Sequence, residues 1–168
     1  RVARAAVTDA VADATARGWH TGDDVGVIFC TGIGDIVSMR DNYMREARPR
    51  PSLFPRLLHT SVGSLLSQEH GWQGPNVVLN AACSSGNVAL QLADGWLRAG
   101  TVSDVIVAGA ELCLAAEIVT GSRRLRVLLG PDEPIELCRP FQEGSRRFFL
   151  GEAGIGLVVT RAAGVRER

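Results

Sequence analysis

Apolar residues recur at three- and four-residue spacing along the opening of the chain. Gly18 follows where a helix with this spacing would end. The pattern predicts an amphipathic helix. Its apolar positions are Ala3, Ala6, Val7, Ala10, Val11 and Ala14.

Short apolar runs bounded by turn residues predict buried strands further along the chain. They lie at residues 25–30, 77–79, 104–108 and 155–160. Helical spacing fills the intervals between them, at residues 36–45, 56–70, 83–99 and, more weakly, 119–128. Strands that alternate with helices, without hairpin dipeptides, predict an α/β fold with a mainly parallel sheet.

Composition narrows the class of protein. The chain has 168 residues, 46% of them hydrophobic, which fits one globular domain with a core. Its 18 basic residues balance its 18 acidic residues, so no net field favours nucleic acid or an anionic membrane as a partner. All the basic residues are Arg, which excludes a lysine nucleophile or Schiff base.

The cysteines give no sign of a metal site or a disulfide framework. Cys30, Cys83, Cys113 and Cys138 are scattered, without a C-x-x-C pair or a histidine at ligand spacing. No charged segment followed by an apolar one opens the chain, and no apolar run is long enough to span a bilayer. We therefore expect a cytoplasmic protein with no membrane partner.

The most informative segment joins the second predicted strand to the helix that follows. It reads Asn-Ala-Ala-Cys-Ser-Ser-Gly at residues 80–86, and places Cys83 at a helix N-terminus among small neighbours. A helix N-terminus favours an anion and hence the thiolate, and the backbone N–H of Cys83 is a candidate oxyanion donor. A covalent acyl-enzyme is the chemistry such a thiol favours. Spacing alone fits a buried, inert cysteine equally well.

Six segments, in order along the chain, resemble those of β-ketoacyl synthases. They are Thr-Gly-Ile-Gly at residues 31–34, Gly-Trp-Gln-Gly-Pro-Asn at 71–76, Ala-Cys-Ser-Ser-Gly at 82–86, Val-Ala-Gly-Ala at 107–110, Cys-Arg-Pro-Phe at 138–141, and residues 148–154. The resemblance implies a thiolase-like fold with a mostly parallel mixed sheet and a central nucleophile helix. Residues 1–168 would form the N-terminal, nucleophile-bearing half, with the family's first strand and C-terminal half absent.

The resemblance also implies a reaction. An acyl group would pass from a thioester of acyl carrier protein or coenzyme A to Cys83, and condensation with a malonyl thioester would follow. Ile33 would line the acyl pocket. Glu152 matches an acidic position of the family, where holding the backbone is at least as good an interpretation as catalysis. No cofactor is implied, because phosphopantetheine carries the substrates.

The chain departs from the family pattern in several places. Gln142 replaces an acidic residue, Arg146 and Arg147 replace Asp-Gly, and Ile155 fills a glycine position, where we expect altered backbone or looser packing. The family's two catalytic histidines and its lysine belong to the C-terminal half. The histidines of this chain all precede Cys83, at positions that favour solvated or packing roles. We therefore expect the isolated chain not to catalyse decarboxylative condensation.

Three other functions compete with this one. A cysteine hydrolase needs a histidine after the nucleophile, and none follows Cys83. A non-catalytic ketosynthase-like partner fits the missing histidines, although such partners typically replace the cysteine. An acyltransferase that loads Cys83 without decarboxylation stays open.

The predicted helix at residues 83–99 also bears on assembly. Its apolar residues spread over more than one face, and one sheet can cover only one of them. We therefore expect a homo- or hetero-oligomer with a ketosynthase-type partner, in which the strand before Cys83 pairs with its twin, as the family resemblance implies.

Overall fold

The structure is a computed structural model that describes residues 1–41 and 51–161. Helices and strands alternate along the chain. In order they are α1 (Val2–Ala16), β1 (Val25–Cys30), α2 (Ile36–Met39), α3 (Phe54–Leu57), α4 (Thr60–His70), β2 (Asn76–Leu79), α5 (Ser85–Ala99), β3 (Asp104–Glu111), α6 (Ala116–Arg124) and β4 (Ala153–Thr160). Short 3₁₀ helices lie at Pro51–Leu53 and Ile135–Leu137.

The strands form one mixed sheet in the order β2-β1-β3-β4. β1 pairs in parallel with both β2 and β3, whereas β3 and β4 are antiparallel. The predicted mostly parallel sheet is thereby confirmed. Because β1, β2 and β3 run in the same direction, their carboxyl ends meet at one edge of the sheet, and the loops leaving these strands lie together there.

Each face of the sheet supports a hydrophobic core. On one face α1 and α4 cover the alternate strand residues Val25, Val27 and Phe29. On the other face α5 covers Ile28 and Cys30. The continuous burial of β1 explains its unbroken apolar run, because a strand covered on both faces has no polar side.

The helix α5 contacts the sheet through a narrow stripe of small and apolar residues. Ala89, Ala93 and Leu97 lie one turn apart and are buried. The space for Trp96 comes from Gly26 in β1, where a Cβ would lie 2.8 Å from Trp96 Cζ3. The sheet covers this one face of α5, as expected.

Several predicted element boundaries need correction. The helix predicted at residues 56–70 is two helices, α3 and α4, with a break at Leu58 and His59. The helix predicted at 119–128 is α6, which begins and ends earlier. Of the helix predicted at 36–45, α2 accounts for Ile36–Met39, residues 40 and 41 continue it as a π-helical turn, and residues 42–45 lie outside the described residues.

The helix predicted to begin at Cys83 begins at Ser85. None of the helices in the described ranges is both long and apolar enough to cross a membrane. Within the same ranges, no cluster of acidic, cysteine and histidine side chains could hold a metal ion.

Candidate active site

The candidate nucleophile lies on a tight turn between β2 and α5, which we call the elbow (residues 80–86). Ala82 has a φ of 49°, a left-handed conformation that costs a non-glycine residue about 1 kcal/mol. Cys83 comes next and is exposed, and Ser84 forms the N-cap of α5. The sharp reversal at Ala82 therefore presents Cys83 next to the N-cap residue of α5.

Hydrogen bonds within the elbow hold this reversal. The Ser84 and Ser85 N–H groups donate to the carbonyls of Ala81 and Ala82, each at 3.1 Å. The Ser85 hydroxyl accepts from the Ala81 N–H at 2.9 Å and donates to the Ala82 carbonyl at 2.7 Å. Because the N–H groups of both serines are already engaged, the backbone N–H of Cys83 stays the candidate oxyanion donor.

The environments of the four cysteines differ sharply. Cys83 is exposed, Cys138 is half-buried, and Cys30 and Cys113 are buried. Burial raises the pKa of the Cys30 thiol. Burial also raises the pKa of the Cys113 thiol, and the carboxylates of Glu111 and Glu152 add to the effect. Because Cys83 is exposed, the interpretation of it as a buried cysteine is wrong.

A second turn lies beside the elbow at the same edge of the sheet. This glycine turn (residues 31–34) follows β1, and Ile33 on it is 42% exposed. The Asn80 side chain links the two turns, because its amide donates to the Gly32 carbonyl at 2.7 Å and its oxygen accepts from the Ala82 N–H at 3.1 Å. The structure thus joins the turn that carries Ile33 to the turn that carries Cys83.

A carboxylate at the end of the neighbouring strand holds the glycine turn. Glu111 accepts the N–H of Gly32 at 2.6 Å and those of Ile33 and Gly34 at 2.9 Å each. Neither Glu111 nor Asn80 was among the residues predicted for the site. The available signal was their position, because each stands where a parallel strand ends, beside the turn that leaves β1.

A largely apolar cavity of about 240 Å³ opens next to the elbow. Ala82 and Ser85 from the elbow, Thr31 and Gly32 from the glycine turn, and Ile155 from β4 contribute to its wall. Its described lining residues include neither Cys83 nor Ile33. The cavity is therefore a neighbour of the candidate nucleophile, on the α5 side of the sheet.

Of the two outcomes expected at Ile155, altered backbone or looser packing, the first is not seen. β4 pairs with β3 in unbroken register, with Ile155 opposite Gly109. A Cβ at Gly109 would lie 3.0 Å from Ile155 Cγ2, so the glycine on β3 makes room for the isoleucine. The larger residue on one strand is matched by the smallest residue on the other.

The other residues considered from the sequence have structural contacts. Glu152 accepts the Leu114 N–H at 2.9 Å, which is the backbone-holding arrangement. His70 stacks on Trp72 with the ring centroids 4.2 Å apart, and this agrees with a packing role. His59 precedes α4, and a Cβ at Gly34 would overlap its ring.

Comparison with protein families shows where this arrangement belongs. The fold and the elbow define an α/β domain that exposes a cysteine at a strand-to-helix turn. Residues 1–163 match the family model described as "Beta-ketoacyl synthase, N-terminal domain". The chain belongs to this family.

Curated relatives cover nearly the whole chain. It is similar to 3-oxoacyl-[acyl-carrier-protein] synthase 2 of Staphylococcus aureus, with 30% identity over 94% of this chain and 39% of the relative. It is also similar to the chloroplastic 3-oxoacyl-[acyl-carrier-protein] synthase I of Hordeum vulgare, with 27% identity over 80% of this chain and 30% of that protein. The chain thus spans less than half the length of these relatives.

Solved structures share the fold. A type II polyketide synthase acyl-carrier protein in complex with its ketosynthase gives a TM-score of 0.68 at 18% identity, covering 86% of this chain and 38% of that chain. The ishigamide ketosynthase/chain length factor gives 0.60 at 19% identity, with coverages of 87% and 38%. These likenesses confirm the predicted ketosynthase-type, thiolase-like fold.

Proposed function

We propose that this chain supplies the acyl-accepting cysteine of a ketosynthase, and that Cys83 is its nucleophile. The observation that carries the proposal is an exposed thiol on a hydrogen-bonded elbow, in a chain that belongs to the ketosynthase family. Small neighbours on the elbow leave room for a thioester. The relatives named 3-oxoacyl-[acyl-carrier-protein] synthases support acyl carrier protein as the donor.

The proposed first step is a transthioesterification. The Cys83 thiolate attacks the thioester carbonyl of the donor, and the developing oxyanion accepts a hydrogen bond from the Cys83 N–H. Collapse of the tetrahedral intermediate forms the new carbon–sulfur bond to Cys83 and breaks the old one. The phosphopantetheine thiolate leaves and takes up a proton from solvent, and Ile33 packs against the acyl chain.

Decarboxylative condensation needs further groups. Residues 84–168 contain no histidine or lysine to stabilise the enolate formed when a malonyl thioester loses carbon dioxide. We therefore propose that this chain forms the acyl-enzyme, and that another polypeptide segment completes the condensation.

Two exposed features support a partner. Val88 and Leu90 on α5, and Ile155 and Leu157 on β4, are large apolar residues between 36% and 55% exposed. β2 is an edge strand of the sheet and leads directly into the elbow. Pairing of β2 with a second ketosynthase-type chain would satisfy its outer backbone groups and place two elbows near each other.

Acyl loading tests the proposal. The purified chain is incubated with an acyl thioester of acyl carrier protein, and in parallel with the coenzyme A thioester, and the acylated peptide is mapped by mass spectrometry. We expect acylation at Cys83 and none in Cys83→Ser, whereas Cys138→Ser serves as the matched control and retains loading. Absence of acylation from both donors, or acylation at another cysteine, would show the proposal to be wrong.

A malonyl thioester added to the acylated chain tests the second part. We expect no release of carbon dioxide above that of Cys83→Ala. Light scattering at micromolar concentration tests the partner, and a stable monomer that binds no ketosynthase-type chain would contradict it.

A further inference from the structure

The carboxylate of Glu111 is surrounded by backbone donors. Glu111 is the last residue of β3, and its two oxygens accept three successive N–H groups of the glycine turn at 2.6 to 2.9 Å. Successive N–H groups that converge in this way form a nest for an anion. Without the carboxylate, these three N–H groups would have no acceptor for their hydrogen bonds. The turn would also lose the negative charge that stabilises its conformation.

The glycine turn is confined on its other side as well. Gly34 has a φ of 77°, a conformation that glycine adopts without strain. The His59 ring lies against it, so that even a Cβ at Gly34 would overlap the imidazole. The turn therefore sits between the Glu111 carboxylate and the His59 ring.

A continuous path of hydrogen bonds leads from Glu111 to the elbow. Glu111 holds the Gly32 N–H, the Gly32 carbonyl accepts from the Asn80 amide at 2.7 Å, and the Asn80 oxygen accepts from the Ala82 N–H at 3.1 Å. Ala82 is the left-handed residue that turns the chain directly before Cys83. A shift of the glycine turn therefore moves the acceptor that fixes Asn80, and Asn80 fixes the turn of the elbow.

We propose that Glu111 is a positioning residue for Cys83 and Ile33. It acts through the glycine turn and Asn80, holding the thiol at the amino end of α5 and Ile33 beside it. This role rests on the proposed function insofar as Cys83 is the nucleophile. Both oxygens of Glu111 accept backbone N–H groups of the glycine turn, so the role we assign to it is to orient the site.

Glu111→Gln tests the proposal with little change of shape. The variant keeps one oxygen acceptor, removes the charge, and turns an amide donor toward N–H groups that need an acceptor. We expect faster hydrogen exchange of the Gly32, Ile33 and Gly34 amides. Relaxation of the elbow moves Cys83 away from the helix N-terminus, so alkylation of Cys83 by iodoacetamide should slow by about three- to tenfold.

Asn80→Ala interrupts the same path further along and leaves Glu111 intact. We expect it to slow Cys83 alkylation by a similar factor. Because both residues act through one path, the double variant should be no slower than the slower single variant. Asp24→Asn is the matched control. Asp24 accepts the Ser103 N–H at 3.1 Å near the amino ends of β1 and β3, away from the elbow. The control variant should leave Cys83 alkylation unchanged.

Acyl loading gives the readout that separates positioning from folding. In Glu111→Gln, the maximal rate of Cys83 acylation should fall by about tenfold and the half-saturating thioester concentration should change less, while the variant still unfolds in one cooperative transition. Alkylation and acylation rates equal to those of the parent chain would overturn the proposal. Losses that multiply in the double variant would overturn it as well.

The two proposals fail in different ways. If no thioester acylates the parent chain, but Glu111→Gln and Asn80→Ala still slow alkylation of Cys83 together, the acyl-transfer function is wrong and the positioning role stands. If acylation proceeds at Cys83 and is insensitive to both substitutions, the positioning role is wrong. If Glu111→Gln does not fold, the test rests on Asn80→Ala alone. An unchanged rate of Cys83 alkylation in that variant then refutes the proposed hydrogen-bond path.

Discussion

The pairing of Gly109 with Ile155 at the wall of the cavity allows a sharp test of how this chain accommodates a large residue. The proposed change is Gly109→Ala. The new Cβ would lie 3.0 Å from Ile155 Cγ2, closer than a relaxed methyl contact. Its other near neighbours, the Cys30 carbonyl oxygen at 3.6 Å and Cβ at 3.9 Å, are at ordinary contact distance. The clash therefore involves one side chain.

Two opposing effects set the expected change in the free energy of unfolding of Gly109→Ala. Overpacking of this kind costs about 1–3 kcal/mol, and replacing a strand glycine by alanine returns about 0.5–1 kcal/mol of chain entropy. We expect Gly109→Ala to lower the free energy of unfolding by about 1 kcal/mol on these values. Ile155 is 55% exposed, so Ile155→Ala should cost about 1 kcal/mol rather than the full value of a buried isoleucine.

The double variant separates the clash from other effects. In the Ile155→Ala background the obstructing methyl group is gone, so Gly109→Ala should become neutral or stabilising by about 0.5 kcal/mol. Urea unfolding of the parent chain and the three variants measures this, provided the slope of the transition is unchanged. Equal effects of Gly109→Ala in both backgrounds would refute the argument that the two residues make room for each other.

Two further results are expected. Gly156→Ala should lower the free energy of unfolding by more than about 2 kcal/mol, because its Cβ would lie 2.8 Å from the Ala6 carbonyl carbon and 3.0 Å from Val7 Cα, both backbone atoms of α1. The control Gly121→Ala, with no atom within 4 Å of its Cβ, should raise that free energy in the same urea assay, and similar losses in both variants would contradict this packing. Burial raises the pKa of Cys30, so its contribution to stability is fully present below the pKa of the unfolded thiol and is lost as the pH rises through the folded value. The free energy of unfolding, measured from pH 7 to pH 10, should therefore fall less steeply above about pH 8.5 in Cys30→Ala than in the parent chain. The same dependence on pH in both chains would count against a contribution from the Cys30 thiol.

Much of the fold follows from local patterns in the sequence. The apolar run of β1 predicts a strand buried on both faces, and the structure shows that burial. Gly71 and Gly100 end α4 and α5 in left-handed conformations, where a helix cap favours glycine. The elbow, too, can be placed from the sequence, since small residues between an apolar run and a helical pattern leave few alternatives. These features depend on neighbours along the chain.

The tertiary structure decided what distant residues do to one another. Glu111 lies 77 to 79 positions after the N–H groups it holds, and no local pattern connects them. Their contact arises because β1 and β3 are parallel neighbours whose carboxyl ends meet at the same edge of the sheet. The sequence led us to expect altered backbone or looser packing at Ile155, and it did not show that Gly109 lies opposite, because the register of an antiparallel pair sets that partner. A side chain's neighbours across a sheet depend on strand order and register, which are long-range properties of the folded chain.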